Sequence, residues 1–211
     1  MANLDDSISI INSDDCDYTT QRIIIPKNPI AWNTLLQINP VIRDVYFSLK
    51  IIHNKNGRVI TREEIRKGTA QEKVAKSLLW AFIEMPPMES VIQELPSIAD
   101  WFMQKNQESL SGEKYIEFYM ETIRRFKGVG KSTASVLLYG FNIKCNGGKS
   151  IALTHYVEQA MKKFSELKPL AKYGYLEQQA CIRSEANRLN VDIERLEYFL
   201  FRVGKKEINI V

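Results

Sequence analysis

The spacing of apolar residues is the feature that most constrains this chain. From residue 29 to the C-terminus, apolar side chains recur every three to four residues almost everywhere, as they do along one face of an α-helix. Alternation with a period of two, which is typical of a strand, is confined to Arg22–Ile25, just before Pro26. The sequence therefore predicts a mostly α protein.

Two short motifs predict helix starts. Thr61 with Glu64 and Thr69 with Glu72 both match the capping box, in which hydroxyl and carboxylate satisfy free N–H groups reciprocally. A stripe of apolar residues from Val41 to Ile52 predicts another helix, ended by the Asn56-Gly57 turn. Further helices are expected at 88–94, 97–107, 113–126, 132–141, 154–165, 176–189 and 192–203.

Length and composition limit the domain size, the cofactor sites and the localisation that this chain can have. The 211 residues, 45% of them hydrophobic, suffice for one large domain or two small lobes. Cys16, Cys145 and Cys181 lie far apart, so we expect no metal site, no iron–sulfur cluster and no cofactor. No basic leader and no run of about 18 apolar residues is present, which predicts a soluble, cytoplasmic protein.

Charge is distributed unevenly along the chain, although its net value is only +4. Residues 1–20 carry five aspartates and no basic residue, which predicts a flexible acidic tail ahead of a single helical domain over 21–211. Residues 114–163 carry nine basic residues and three glutamates. If these bases gather on one face, the expected partner is a polyanion such as nucleic acid. A solvated helix face is the alternative.

The segment 123–138 gives the strongest indication of what the chain binds. It places an amphipathic helix, a Gly128-Val129-Gly130 turn and a second helix in direct succession, which is typical of a helix-hairpin-helix motif. The glycines permit positive φ and close approach, and Val129 is expected to fill the space between the helices. Free N–H groups at the start of the second helix can bind a DNA phosphate without reading the base sequence. Lys127 and Lys131 flank the turn as counter-charges.

A nucleotide-binding P-loop is the competing interpretation, because Gly-Lys-Ser occurs twice. The spacing excludes it, since the first glycine of G-x-x-x-x-G-K-[ST] would fall on Arg125 in one case and on Ile143 in the other. A helix rather than a strand is also expected before the first copy. We therefore assign 114–141 to the hairpin, and a ligand-free turn between two core helices is the remaining alternative.

The segment Phe126–Ala134 resembles the hairpin of the helix-hairpin-helix superfamily of base-excision DNA glycosylases, and its Gly-x-Ser-Thr-Ala is similar to the MutY-type version. Ile151–Val157 resembles the approach to the helix that carries the family's catalytic aspartate. Ile193–Gly204 resembles the closing helix of bacterial proteins with the 8-oxoguanine-glycosylase fold. The similarity, over roughly residues 70–205, implies a two-lobed helical glycosylase fold, double-stranded DNA as partner and removal of a flipped base.

Two positions depart from the family pattern. Bifunctional members place a lysine two residues after the last hairpin glycine, where this chain has Ser132, so the resemblance implies a monofunctional enzyme rather than a lyase. The position of the family aspartate, three residues before Val157, holds Thr154. Either Thr154 caps a helix in a protein that binds DNA without cutting it, or another group supplies the chemistry.

Four side chains are candidates for that other group. His155 could position a water molecule, with a polar surface residue at a helix start as the alternative interpretation. Glu158 could supply the missing charge, although an acid in a first turn also compensates the helix dipole. Glu117 and Glu121, on the helix before the hairpin, complete the set.

The family stacks the extruded base in a pocket, which requires aromatic side chains. We select Trp80, Tyr156 and Phe201 as candidates for the pocket wall. The expected substrate is a damaged base or a modified phage base, and we expect a monomer. Three functions stay open: an atypical glycosylase, a DNA-binding or lesion-recognition module that lacks catalysis, and a helical protein-interaction domain.

Overall fold

The computed structural model describes residues 1–18, 22–26, 36–52, 57–81, 89–105, 109–146, 148–171 and 174–210. Most of these residues are helical, which confirms the predicted class. The chain divides into a central unit of residues 22–150 and a terminal unit that joins residues 1–21 to residues 151–211. This division differs from the single domain expected over 21–211. Among the described residues, no helix is long and apolar enough to cross a membrane.

From residue 40 onward the helices follow the predicted order, whereas the first helix lies in the segment predicted to be a flexible tail. In the chain they are α1 Ile8–Ile11, α2 Pro40–Ser48, α3 Arg62–Ile65, α4 Ala70–Ala81, α5 Glu89–Gln93, α6 Leu95–Met103, α7 Gly112–Arg125, α8 Lys131–Gly140, α9 His155–Met161, α10 Tyr175–Arg188 and α11 Ile193–Gly204. The bounds of α8, α10 and α11 lie within one residue of the predicted ones. By contrast, α9 ends at Met161, four residues earlier than expected.

Both predicted capping boxes are confirmed. The N–H group of Thr61 donates to Glu64 Oε2 at 2.6 Å, and the N–H group of Glu64 donates to Thr61 Oγ1 at 3.3 Å. Thr69 and Glu72 form the same reciprocal pair, at 2.6 and 3.2 Å. These bonds satisfy N–H groups that the first turns of α3 and α4 leave without an intrahelical acceptor.

Two small sheets accompany the helices of the central unit. Their strands are β1 Arg22–Pro26, β2 Lys50–Ile52, β3 Gly57–Thr61, β4 Ser109–Leu110 and β5 Lys144–Cys145. The first three strands form an antiparallel sheet in the order β1-β3-β2, in which Ile51 lies opposite Arg58. The strands β4 and β5 pair in parallel.

The helix predicted over Val41–Ile52 is shorter than expected. It ends at Ser48, and Leu49 adopts an extended conformation that leads into β2. Ile51 and Ile52 are β-branched, and the antiparallel pairing with β3 gives their backbone groups hydrogen-bonding partners. Pairing with another strand therefore overrides the helical spacing in this segment.

Residues 1–18 are packed, which corrects the prediction of a flexible acidic tail. The side chains of Leu4, Ile11 and Cys16 are fully buried within the terminal unit. Arg195 of α11 donates from Nη1 to the carbonyl oxygens of Ile11 and Ser13 at 3.2 and 3.0 Å. Short groups of apolar residues lie between the aspartates of this segment. Counting its charges therefore does not reveal that its apolar side chains are buried.

Basic residues of the terminal unit accommodate the acidic run. Arg188 of α10 donates from Nη1 to Asp5 Oδ1 at 2.8 Å. This hydrogen bond holds the pKa of the Asp5 carboxyl below its usual value. Arg202 of α11 also donates to the carbonyl oxygen of Asp15. The acidic segment is thus held by residues almost 200 positions later in the sequence.

Candidate nucleic-acid interface

The turn between α7 and α8 is short and depends on one glycine. Helix α7 ends at Arg125, and Phe126 leaves it in an extended conformation. Gly128 has a φ of +91°, a region that residues with a side chain rarely adopt. The N–H group of Val129 then donates to the carbonyl oxygen of Phe126 at 3.0 Å. Glycine at position 128 therefore allows the chain to reverse within a few residues.

The turn has one buried and one open side. Val129 is only 3% exposed and Phe126 only 2%, which confirms the predicted burial of Val129. Gly130 is exposed, and a Cβ atom placed on it would meet nothing within 4 Å. The apolar side chains thus anchor the turn while Gly130 leaves open space in front of the backbone.

Helix α8 begins at this open side. Gly130 is its N-cap residue, and no side chain among the described residues caps its first N–H groups. Such groups carry the positive end of the helix dipole and can donate to an anion. Ser132, in the first turn, is half-buried, and Lys131 is exposed. The start of α8 thus offers backbone donors beside a lysine.

Four basic residues lie close to the turn in the sequence. They are Arg124, Arg125, Lys127 and Lys131, and all four are exposed. The guanidinium carbon of Arg125 lies 4.8 Å from the centre of the Trp101 ring, a cation–π contact that orients it. Arg125 belongs to the basic run over residues 114–163, but the sequence does not place it on Trp101, because that contact joins two different helices.

Thr154 lies in the terminal unit, at the N-cap position of α9. Its backbone is extended there, but its side chain makes no capping hydrogen bond. The residue is 8% exposed, and its Oγ1 is buried without a hydrogen-bond partner among the described residues. The threonine therefore occupies the predicted capping position without performing the predicted capping contact.

The other candidate catalytic residues differ in exposure. His155 is exposed and Glu158 is half-buried, one turn into α9, where its N–H group donates to the carbonyl oxygen of Thr154 at 3.1 Å. Glu117 and Glu121 are exposed on α7 in the central unit. Among these groups, Glu158 is the carboxylate partly shielded from water.

The structure brings two of the three predicted pocket residues together. The rings of Tyr156 and Phe201 lie 5.6 Å apart, edge to face. Tyr156 is half-buried, but Phe201 is only 4% exposed, so we correct its assignment from pocket wall to core residue behind Tyr156. The Lys205 amine lies 5.9 and 5.5 Å from their centres and 3.3 Å from Glu207 Oε1. The ring of His155 lies 3.8 Å from that of Tyr156. Lys205 was not predicted, since nothing in the sequence places it beside an aromatic residue of another helix.

Trp80, the third predicted pocket residue, belongs to α4 of the central unit and is 3% exposed. The guanidinium carbon of Arg62, itself buried, lies 6.0 Å from the centre of its ring. Because a side chain this buried has no free face on which a base can stack, we correct its assignment from pocket wall to core residue.

Buried carboxylates of α11 are a second feature that sequence reasoning missed. Glu194 is 1% exposed and Glu197 is fully buried in the terminal unit. The two residues lie one helical turn apart. The spacing of apolar residues predicts this helix, but it does not indicate which of the charged residues face inward. Among the described residues, no group of histidine, cysteine, aspartate and glutamate side chains could hold a metal ion.

Comparison with known proteins gives no match, whether to a family model, to a curated protein or to a solved structure. Any assignment of function therefore depends on residues 126–134, on the geometry of the α7–α8 turn and on the side chains around α9.

Proposed function

We propose that this chain binds double-stranded DNA through the α7–α8 turn and removes a damaged or modified base as a monofunctional N-glycosylase of the helix-hairpin-helix type. The turn is the observation that carries the proposal. Exposed Gly130 precedes α8, whose first N–H groups receive no described side-chain cap, and exposed basic residues flank the turn. Such donors attract a phosphate oxygen irrespective of base sequence, as an enzyme that searches long duplexes requires.

Base removal needs a group that stabilises positive charge on the sugar or activates water. Thr154 cannot carry that charge. We assign the role to Glu158, which is half-buried in the first turn of α9, and the positioning of water to exposed His155. Half-buried Tyr156, with Lys205 beside it and buried Phe201 packed against it edge to face, offers a ring on which an extruded base can stack.

A DNA-binding module without catalysis is the second candidate. The specific observation in its favour is Thr154, a buried, uncharged hydroxyl at the position where the glycosylases that the chain resembles carry an aspartate. The α7–α8 turn would serve both functions equally. A base-release assay separates the two candidates, because only the glycosylase liberates a free base.

Substitution of Gly130 tests DNA binding at the turn. Asp and Asn are both good N-cap residues, and the backbone and open space at this position accept either side chain, so both variants should fold. Each places an acceptor over the first N–H groups of α8, but only Gly130→Asp adds a negative charge. The Asn variant is therefore the matched control for charge.

We expect Gly130→Asp to lower affinity for a duplex at least tenfold more than Gly130→Asn does, measured by fluorescence anisotropy with helicity checked by circular dichroism. Affinity of the wild-type chain should fall steeply between about 50 and 200 mM salt, because phosphate contacts release counterions. Equal binding by the wild-type chain and Gly130→Asp would remove the turn from the binding surface.

A further inference from the structure

A second exposed surface of the central unit combines apolar and basic side chains. Phe47, at the end of α2, is 56% exposed, and Ile51, on β2, is 50% exposed. Half-buried Arg58 on β3 completes the group. We call these three residues the Phe47 patch. Large apolar side chains that remain exposed together on a folded surface point to a binding partner.

Strand register places Ile51 and Arg58 on one face of the sheet, and a ring contact adds Phe47 to it. Ile51 lies directly opposite Arg58 in the antiparallel pair of β2 and β3, and directly paired residues project to the same side of a sheet. The guanidinium carbon of Arg58 lies 5.0 Å from the centre of the Phe47 ring. Phe47, Ile51 and Arg58 therefore form one continuous surface.

Contacts on its inner side hold the patch in place. The rings of Tyr46 and Phe47 lie 5.4 Å apart at 79°, and Tyr46 is buried. Arg58 donates from Nη1 to the carbonyl oxygens of Phe47 and Leu49 at 2.8 and 2.9 Å. Because a guanidinium carries five N–H donors, these bonds at Nη1 leave donors for a further acceptor. The arginine is thus fixed beside an exposed aromatic ring.

The charge of the patch selects the kind of partner. Arg58 is positive, and Asp44, three residues before Phe47 in the sequence, is paired with Arg43 at 3.1 Å. An apolar protein surface would gain nothing from this cation, whereas a nucleotide offers a phosphate for it and a base for the aromatic ring. Bases in duplex DNA are already stacked on their neighbours, so an unpaired nucleotide fits this combination.

We propose that the Phe47 patch binds an unpaired nucleotide of DNA, with the base stacked on Phe47 and the phosphate held by Arg58. The substrate class would then be duplex DNA that contains a bulge or another unpaired segment. This inference rests on the proposed function, since it assumes that DNA is the partner.

The test compares the affinity of the wild-type chain for a blunt duplex with its affinity for the same duplex carrying an unpaired bulge. Stacking of a single base predicts a preference of at least about fivefold for the bulged DNA. Phe47→Ala should abolish this preference and leave the affinity for the blunt duplex unchanged, whereas Phe47→Trp should retain it. Met103→Ala, which removes another half-exposed apolar side chain, is the matched control and should change neither affinity.

The outcomes distinguish this inference from the proposed function. Binding of both DNAs with equal affinity, or a preference that survives in Phe47→Ala, would overturn the patch assignment and leave duplex binding in place. Binding of the bulged DNA alone, lost in Phe47→Ala, would support the patch and contradict duplex binding at the turn. Binding of neither DNA would overturn both. A dimer in sedimentation that Phe47→Ala dissociates would show that a second copy, not DNA, covers the patch.

Discussion

At the scale of single residues, the two glycines of the α7–α8 turn have different roles. Gly128 adopts a φ of +91° and is required by the backbone, whereas Gly130 has a φ of −88° that any residue can adopt. A sequence that shows both as Gly-x-Gly cannot distinguish these roles. Gly128 therefore provides the positive φ that the turn requires, and Gly130 leaves open space in front of the backbone at the start of α8.

Replacing each glycine in turn by serine tests whether Gly128 and Gly130 have these different roles. Gly128→Ser should lower the free energy of unfolding by about 1–2 kcal/mol, because its side chain disfavours a positive φ. Gly130→Ser should leave the free energy unchanged or raise it by a few tenths of a kcal/mol, since serine is a good N-cap residue. Urea unfolding of the two variants measures both values. Equal losses would contradict the assigned roles.

At the scale of secondary-structure elements, the close approach of α9 and α11 depends on Gly204. A Cβ atom at this position would clash with the backbone carbonyl of Tyr156. Backbone cannot rotate aside as a side chain can, so a methyl group here would force the helices apart. The contact matters for the proposed site because Tyr156 and Phe201 meet beside it.

We therefore expect Gly204→Ala to destabilise the chain by about 1–3 kcal/mol or more, as other substitutions that overpack a core do. Gly130→Ala is the control, because open space surrounds that position. Thermal or urea unfolding measures both variants. A loss at Gly204 no larger than the loss at Gly130 would contradict the close approach of the two helices.

The sequence predicts those features whose interacting residues lie within a few positions of one another. It does not predict features that depend on residues far apart in the chain. The capping boxes at Thr61 and Thr69 involve residues three positions apart, so the sequence contains the whole interaction. The strand at Lys50–Ile52 depends on its pairing with β3, and the pairing of Lys205 with Tyr156 depends on the packing of α9 against α11. Such contacts form only in the folded chain. For that reason the spacing of apolar residues predicted a helix where Lys50–Ile52 is a strand, and gave no indication of the contact between Lys205 and Tyr156.

At the scale of the whole molecule, the terminal unit is built from both ends of the chain. Its buried residues include Leu4 and Ile11 from the N-terminal segment and Phe199 from α11. The acidic composition of residues 1–20 predicts a flexible tail. The structure instead makes this segment part of a hydrophobic core that also supports α11.

Truncation of one buried side chain tests this arrangement. Leu4 is fully buried, so Leu4→Ala should lower the free energy of unfolding by about 2–5 kcal/mol. Ile8→Ala, which truncates a half-buried side chain in the same segment, should cost less. An effect of Leu4→Ala near zero in urea unfolding would show that the segment is a flexible tail after all.

Removal of a base is the reaction proposed for this chain, and a base-release assay detects it. The purified chain is incubated with genomic DNA rich in damaged or modified bases, phage DNA included, and free bases and abasic sites are counted. We predict equal numbers of both without strand cleavage, and loss of release in Glu158→Gln but not in Glu63→Gln, an exposed glutamate of α3. Tight duplex binding without any released base would contradict the glycosylase and leave DNA recognition as the function.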